Sequence, residues 1–386
     1  MVLGNSMLIP VLPKMKQALE ISQFQVSLVI TLFSLSAGLV IPFSGYLSDR
    51  LKRKPIIIVS LLIYALGGLM AGFAAAFSHK AAYLLIMIGR VIQGVGAAGT
   101  APLAMALVGD VYGKRERSKV LGMLEASNGM GKVASPLLGS LVGLIAWWAV
   151  FFLFPILCLP IALGLWLVVK EPNQKREAKP FAQYKAALKK IFQEKGALLL
   201  ASFLAGGTVL FTLFGLLFYL SDYLEVKYGM EGVLKGLIIA IPVLAMASTS
   251  YLVGIFTADK QDLYKILIVG GLGLLALSAA FLSFFYQNIY LLVGLLIPAG
   301  IGTGMVLTSL NTLITSSCGT EERGMITSLY GSVRFFGVAG GPPLFGIMME
   351  RTLFWTFMLP ALWVVGVGAV NLIYLQKKLI LSRKSD

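Results

Sequence analysis

The sequence predicts an all-α membrane protein built from two like halves. Three observations point there. Of 386 residues, 58% are apolar and only 13% are charged. A soluble domain carries about 25% charged residues, so the apolar excess here has to face lipid. The apolar residues also fall into runs of helix length, and roughly 20 residues are enough to span a bilayer. Finally, two stretches repeat at a constant offset of 206 residues: Gly94-Val95-Gly96 meets Gly300-Ile301-Gly302, Glu116-Arg117 meets Glu322-Arg323, and Gly131…Pro136 meets Gly337…Pro342. A polytopic chain with an internal repeat is the pattern of a secondary transporter.

Spans are expected at 24–47, 55–77, 81–109, 119–142, 146–169, 197–220, 233–257, 264–285, 289–316, 324–348 and 352–376. Met1–Pro13 precedes them and is too short to cross alone. Basic loops alternate with loops lacking basic excess. The basic set includes Arg50-Leu51-Lys52-Arg53-Lys54, Lys114-Arg115-Glu116-Arg117, and a 170–195 segment with eight Lys/Arg against three acids. Such loops stay on the cytoplasmic side. Both termini are therefore expected on the cytoplasmic side of a cell membrane, with Met1–Pro13 counted as helix 1. The expected organisation is a six-helix bundle at 1–169, a cytoplasmic linker at 170–196, a second six-helix bundle at 197–376, and a tail at 377–386. Aligning Phe24-Gln25-Val26-Ser27-Leu28 with Val233-Leu234-Lys235-Gly236-Leu237, at an offset of 209, leaves helix 1 short at its start. An incomplete N-terminus is therefore expected, because a half-helix leaves backbone groups unpaired at membrane depth.

The net charge of +15 reflects these loops and does not signal nucleic acid. Cys158, Cys318 and His79 lack metal-ligand spacing. No metal or cofactor is expected. The Gly94…Gly96…Gly99 spacing imitates a dinucleotide fingerprint, but it sits in one continuous apolar run with no preceding strand. Its glycines serve helix packing instead.

Charged and polar residues inside the spans are functional candidates by default. Arg90 and Gln93 lie in the fourth span. Glu125, Asn128 and Lys132 share a face of the fifth. Glu125 and Lys132 are about 10 Å apart along the axis, too far for a direct ion pair without rearrangement. In the same span Gly131, Ser135 and Gly139 form a small-residue stripe, and Pro136 should kink the helix. The second copy keeps Gly337, Gly341 and Pro342 but has Leu296 and Ala299 in place of Arg90 and Gln93, and Arg334 in place of Asn128.

These motifs resemble the major facilitator superfamily, and within it the 12-helix drug:proton antiporter branch. The loop Gly45-Tyr46-Leu47-Ser48-Asp49-Arg50 with its basic tail matches, except that Lys52 stands where glycine is usual. The run Arg90…Gln93-Gly94…Gly96-Ala97-Ala98 matches throughout. The exporter motif around Pro136 appears with Ser135 and Ser140 in place of two glycines. The resemblance implies a major facilitator fold of two pseudo-symmetric bundles, in which helix 1 is truncated here. It also implies a gating latch at Gly45, Asp49, Arg50 and Arg53 that closes near Arg323. Arg90 would contribute to proton coupling, and the Pro136 and Pro342 helices would pack on the outer side.

A coupling carboxylate must be buried enough to cycle its proton. Glu125 fits best, with a structural ion pair as the alternative. Asp222 is second, against a solvated acid near Glu225. Phe211, Phe214, Phe218, Phe335 and Phe336 could receive amphipathic molecules or serve only packing. The expected function is proton-coupled export of small amphipathic molecules by a monomer, driven by the proton gradient. Alternatives are export of an anionic metabolite such as a siderophore, a lipid or glycolipid flippase, and a proton-coupled importer. An enzyme is not expected. The cavity residues are expected to be Asn128, Lys132, Arg334, Gln93, Phe211 and Phe214.

Overall fold

A computed structural model describes residues 3–48, 51–77, 81–111, 114–169, 171, 181–256, 263–317 and 320–375. The chain begins with α1 (Leu3–Ser6), a 3-10 turn (Ile9–Val11) and α2 (Leu12–Ala18), which together form a broken helix. Long helices follow: α3 (Gln23–Ser48), α4 (Arg53–Phe77), α5 (Ala82–Ala98), α6 (Ala101–Val111), α7 (Lys114–Val142) and α8 (Ala149–Val168). After the 172–180 segment come α9 (Phe181–Tyr228), α10 (Gly232–Phe256), α11 (Leu263–Phe285), α12 (Ile289–Ser317), α13 (Thr320–Met349) and α14 (Leu353–Tyr374). Among the described residues, nine helices are long and apolar enough to cross a membrane. α7 and α13 are also long enough, but they carry Asn128, Lys132 and Arg334 among their apolar residues.

Two expectations change in detail. Pro13 does not end helix 1. It falls in the first turn of α2, where its missing N–H costs nothing, and the helix continues to Ala18. The span expected at 81–109 is two helices. α5 stops at Gly99, and Thr100 Oγ1 bonds back to the Ala97 carbonyl at 2.7 Å. A new helix then opens with Pro102 in its first turn.

Side chains secure several ends. Ser22 and Gln25 form a reciprocal capping box at the start of α3. Asn288 accepts from the Tyr290 and Leu291 N–H groups at the start of α12. The Glu171 carboxylate accepts from the Arg53 and Lys54 N–H groups at 2.7 and 3.0 Å, neutralising the positive end of α4. Lys54 Nζ donates in return to the Trp166 and Val169 carbonyls at the end of α8.

The chain forms two compact units. The first takes Met1–Ala178, Leu217–Ala240 and Val338–Ile347, and the second takes Lys179–Leu216, Ile241–Gly337 and Met348–Asp386. In the first unit, Tyr64 makes edge contacts with Phe33 and Phe154, and Phe151 packs beside Phe154. In the second, Phe203 packs on Tyr330, Trp363 Nε1 donates to Thr208 Oγ1 at 3.0 Å, and Asn371 Nδ2 donates to the Ala201 carbonyl at 3.2 Å. α8 leaves Ile156, Leu159, Ile161, Leu163, Trp166 and Leu167 exposed. So much contiguous apolar surface requires a lipid environment.

Candidate functional site

Arg90 is 0% exposed in the middle of α5. A buried guanidinium survives only if its donors are satisfied. Here Nε donates to the Val29 carbonyl at 2.8 Å, one terminal nitrogen to Gln93 Oε1 at 2.7 Å, and the other to Asn5 Oδ1 at 2.6 Å. The guanidinium also lies 4.3 Å from the centre of the Phe33 ring, a cation–π contact. Asn5 Nδ2 passes the network on to Ser34 Oγ at 2.6 Å. All three acceptors are neutral, so among the described residues no acid pairs with this guanidinium inside the apolar bundle. Gln93 Nε2 and the Tyr64 hydroxyl are buried with no hydrogen-bond partner among the described residues. The pairing of Arg90 with Gln93 follows from their i, i+3 spacing on one helix. Asn5 was overlooked, although an asparagine inside the first apolar run is the kind of signal that marks a polar site.

A second constellation gathers at the break in helix 1. Between α1 and α2 three carbonyls, those of Met7, Ile9 and Pro10, each meet a different helix. The Met7 carbonyl occupies the space that a Cβ on Gly139 of α7 would need. The Ile9 carbonyl accepts from Ser221 Oγ of α9 at 2.6 Å. The Pro10 carbonyl accepts from Lys235 Nζ of α10 at 2.6 Å. Lys235 Nζ also pairs with Glu225 Oε2 at 2.6 Å, and the two side chains are only 2% and 7% exposed. Around this pair, Lys14 meets Glu231 at 2.7 Å, Gln23 Nε2 donates to Asp222 Oδ1 at 3.2 Å, and the Pro136 carbonyl and Ser140 Oγ close against Gly236. Pro136, Gly139 and Asp222 were expected site residues, and they belong to one neighbourhood. Lys235 and Glu225 were missed as a pair. The available signal was a lysine near the start of an apolar span, standing where the first half has Val26.

The remaining candidates are scattered. Asp49 and Arg50 lie outside the described residues, as do the side chains of Glu125 and Arg323. Asn128 and Lys132 are half-buried on α7, and a Cβ on Gly131 would meet open space. Gly45 is half-buried near the end of α3, and Arg53 is tied through its N–H to Glu171. Phe211 and Phe214 are half-buried on α9. Gly341 and Pro342 are buried on α13. In the second unit Gly337 presses on the Gly207 carbonyl. Arg334 is half-buried there, 5.6 Å from the centre of the Tyr330 ring, with its Nε buried and unpartnered among the described residues.

Residues 1–342 match the sequence model of the Major Facilitator Superfamily. The chain belongs to this superfamily. As a major facilitator protein it is a multi-pass membrane transporter of small molecules and not an enzyme. It is 42% identical over 368 residues to the Bacillibactin exporter of Bacillus subtilis, covering 94% of this chain and 90% of that protein. It is 25% identical to Multidrug resistance protein 2 of the same species, covering 97% of this chain and 92% of that protein. A solved bacterial homologue of the human lysosomal transporter Spinster superposes with a TM-score of 0.76 at 18% identity, covering 97% of this chain and 93% of that one. A D-xylose-proton symporter superposes with a TM-score of 0.71 at 14% identity, covering 97% and 94%. At such low identity these last two show the shared fold alone.

Proposed function

We propose that this major facilitator protein exports an anionic metabolite, bacillibactin or a compound of the same kind, in exchange for protons across the cell membrane. Arg90 carries the reading. Arg90 is a fully buried cation whose hydrogen bonds, among the described residues, all go to neutral oxygens, and such a charge favours an anion over a cationic drug. The 42% identity to the Bacillibactin exporter across nearly the whole chain supports the same substrate class. Glu125, Arg90 and Asp222 are the proton-coupling candidates. Asn128, Lys132, Gln93 and Arg334 would contact substrate. Both termini would be cytoplasmic, which puts the helix 1 break, the end of α9 and the start of α10 on the outer side. A second reading, efflux of amphipathic drugs past Phe211 and Phe214, is supported by the full-length likeness to Multidrug resistance protein 2.

The test compares proteoliposomes loaded with bacillibactin and with ethidium, under an imposed pH gradient. Gradient-driven movement of bacillibactin that Glu125→Gln abolishes is the expected result. Movement of ethidium alone would favour the second reading. Transport of bacillibactin that is indifferent to the pH gradient would remove proton coupling from the proposal.

A further inference from the structure

Asn5 holds a buried cation with an amide where a carboxylate of the same shape would fit. Its Oδ1 accepts from a terminal nitrogen of Arg90 at 2.6 Å, and its Nδ2 donates to Ser34 Oγ at 2.6 Å. Asn5, Ser34 and Arg90 are all buried. The bond to Ser34 decides which end of the amide faces the cation. With Nδ2 drawn toward α3, the carbonyl end is turned to Arg90. Gly4 makes this approach of α1 possible. A Cβ there would lie 2.7 Å from both the Phe33 ring and the Tyr64 hydroxyl, so a larger residue would push Asn5 off the guanidinium. We propose that Asn5 sets the charge preference of transport: it fixes Arg90 through a neutral oxygen without cancelling the charge, and so keeps that charge for an anionic substrate. The inference rests on the export function proposed above and names a specificity residue for it.

The three acceptors of Arg90 differ in what a substitution can make of them. The Val29 oxygen is a backbone carbonyl and stays neutral in any sequence. Gln93 sits on the same helix as Arg90. Among the described residues, Asn5 is the one acceptor side chain that another helix supplies. Exchanging its amide nitrogen for oxygen would set a carboxylate against the guanidinium, and the two charges would then cancel at a distance. The Phe33 ring, 4.3 Å from the guanidinium, adds a quadrupole and leaves the net charge as it is. Arg90 is fully buried, so its charge acts on a substrate through its field rather than by contact. A unit charge felt across roughly 10 Å at an effective dielectric of about 20 changes the affinity for an anion on the order of tenfold, and that for a cation in the opposite sense. At the matching positions of the second copy Leu296 and Ala299 are buried and uncharged, so this field is not duplicated there.

The experiment measures dissociation constants for bacillibactin, the anionic probe, and for ethidium, the cationic one, by isothermal titration of full-length protein in lipid nanodiscs. Asn5→Asp should weaken bacillibactin about tenfold and tighten ethidium about tenfold. Gln93→Glu puts the same charge on Arg90 from its own helix and should move the ratio of the two constants the same way. Asn5→Leu has a similar size but neither charge nor acceptor. It should leave the ratio where the wild type has it, even if both probes bind less well. A purely structural role for Asn5 predicts instead that Asn5→Asp and Asn5→Leu change the ratio alike, and that result overturns the proposal. So does an Asn5→Asp protein that melts as the wild type does and keeps the wild-type ratio. If thermal unfolding shows that Asn5→Asp has not folded, Gln93→Glu decides: a shifted ratio supports the proposal and an unshifted one overturns it. Bacillibactin flux in proteoliposomes is read separately. If the wild type moves no bacillibactin while ethidium still binds more tightly to Asn5→Asp, the proposed function fails and the role of Asn5 stands. If bacillibactin is moved and the ratio does not respond, the role of Asn5 alone fails.

Discussion

The two copies of the repeat are packed by the same glycines around different interiors. In α5, Gly94 lies against the Phe33 carbonyl of α3, and Gly96 against Ser60 and Tyr64 of α4. In α12, Gly300 lies against the Pro242 carbonyl of α10, and Gly302 against the Gly271 carbonyl of α11. At all four positions a Cβ would overlap backbone atoms of the neighbouring helix, so only glycine permits the approach. One helical turn before each pair the copies part company. Arg90 and Gln93 are buried in the first, Leu296 and Ala299 in the second, all at 0% exposure. Duplication has preserved the close helix crossings. It has not preserved the buried charge, and a feature the scaffold does without in one half is free to serve transport in the other.

Three sets of substitutions can break or sharpen this comparison. The largest effect is expected from Gly94→Leu and Gly300→Leu, each of which forces two helices apart. Each should cost about 3 kcal/mol or more, the upper range for overpacking. Thermal unfolding in detergent should show both losses. A loss at only one position would end the claim that the two crossings are equivalent. Next comes Arg90→Lys against Leu296→Met. A lysine cannot reach Val29, Gln93 and Asn5 together, and unpaired buried groups cost about 1–3 kcal/mol each. Transport should fall at least roughly tenfold, a loss of about 1.4 kcal/mol in transition-state stabilisation. The volume-conserving Leu296→Met should leave flux nearly intact and cost under about 1.5 kcal/mol. The smallest effect is expected from Ser135→Gly, which gives the first copy the residue found at Gly341. Among the described residues Ser135 Oγ bonds only to the Gly131 carbonyl of its own helix, and the exchange should cost under about 1 kcal/mol. A larger loss in the melting curve would show that the serine holds something more.

The spans were readable because bilayer thickness imposes a length that apolar runs display openly. Arg90 was readable too, since a charge inside such a run stands out. The break in α5–α6 was signalled by Gly99 and Pro102, a helix stop followed by a helix start, but the apolar run hides it. The Glu225–Lys235 pair was not legible, because it depends on a turn geometry set by Gly229 and Gly232 and on the Pro10 carbonyl at the helix 1 break. Sequence periodicity reports which face a residue takes along one helix. It does not report which backbone oxygen of another helix will lie opposite.

The neutral cage around Arg90 also bears on how the chain enters the membrane. An arginine at the centre of an isolated helix raises the cost of insertion by about 2.5–3.5 kcal/mol. Asn5, Val29 and Phe33, which relieve that cost, all precede residue 90 in the chain. Synthesis from the N-terminus therefore delivers the acceptors into the bilayer before the cation that needs them. α5 never has to rest alone in lipid, provided the segments before it have stayed close to the site of insertion.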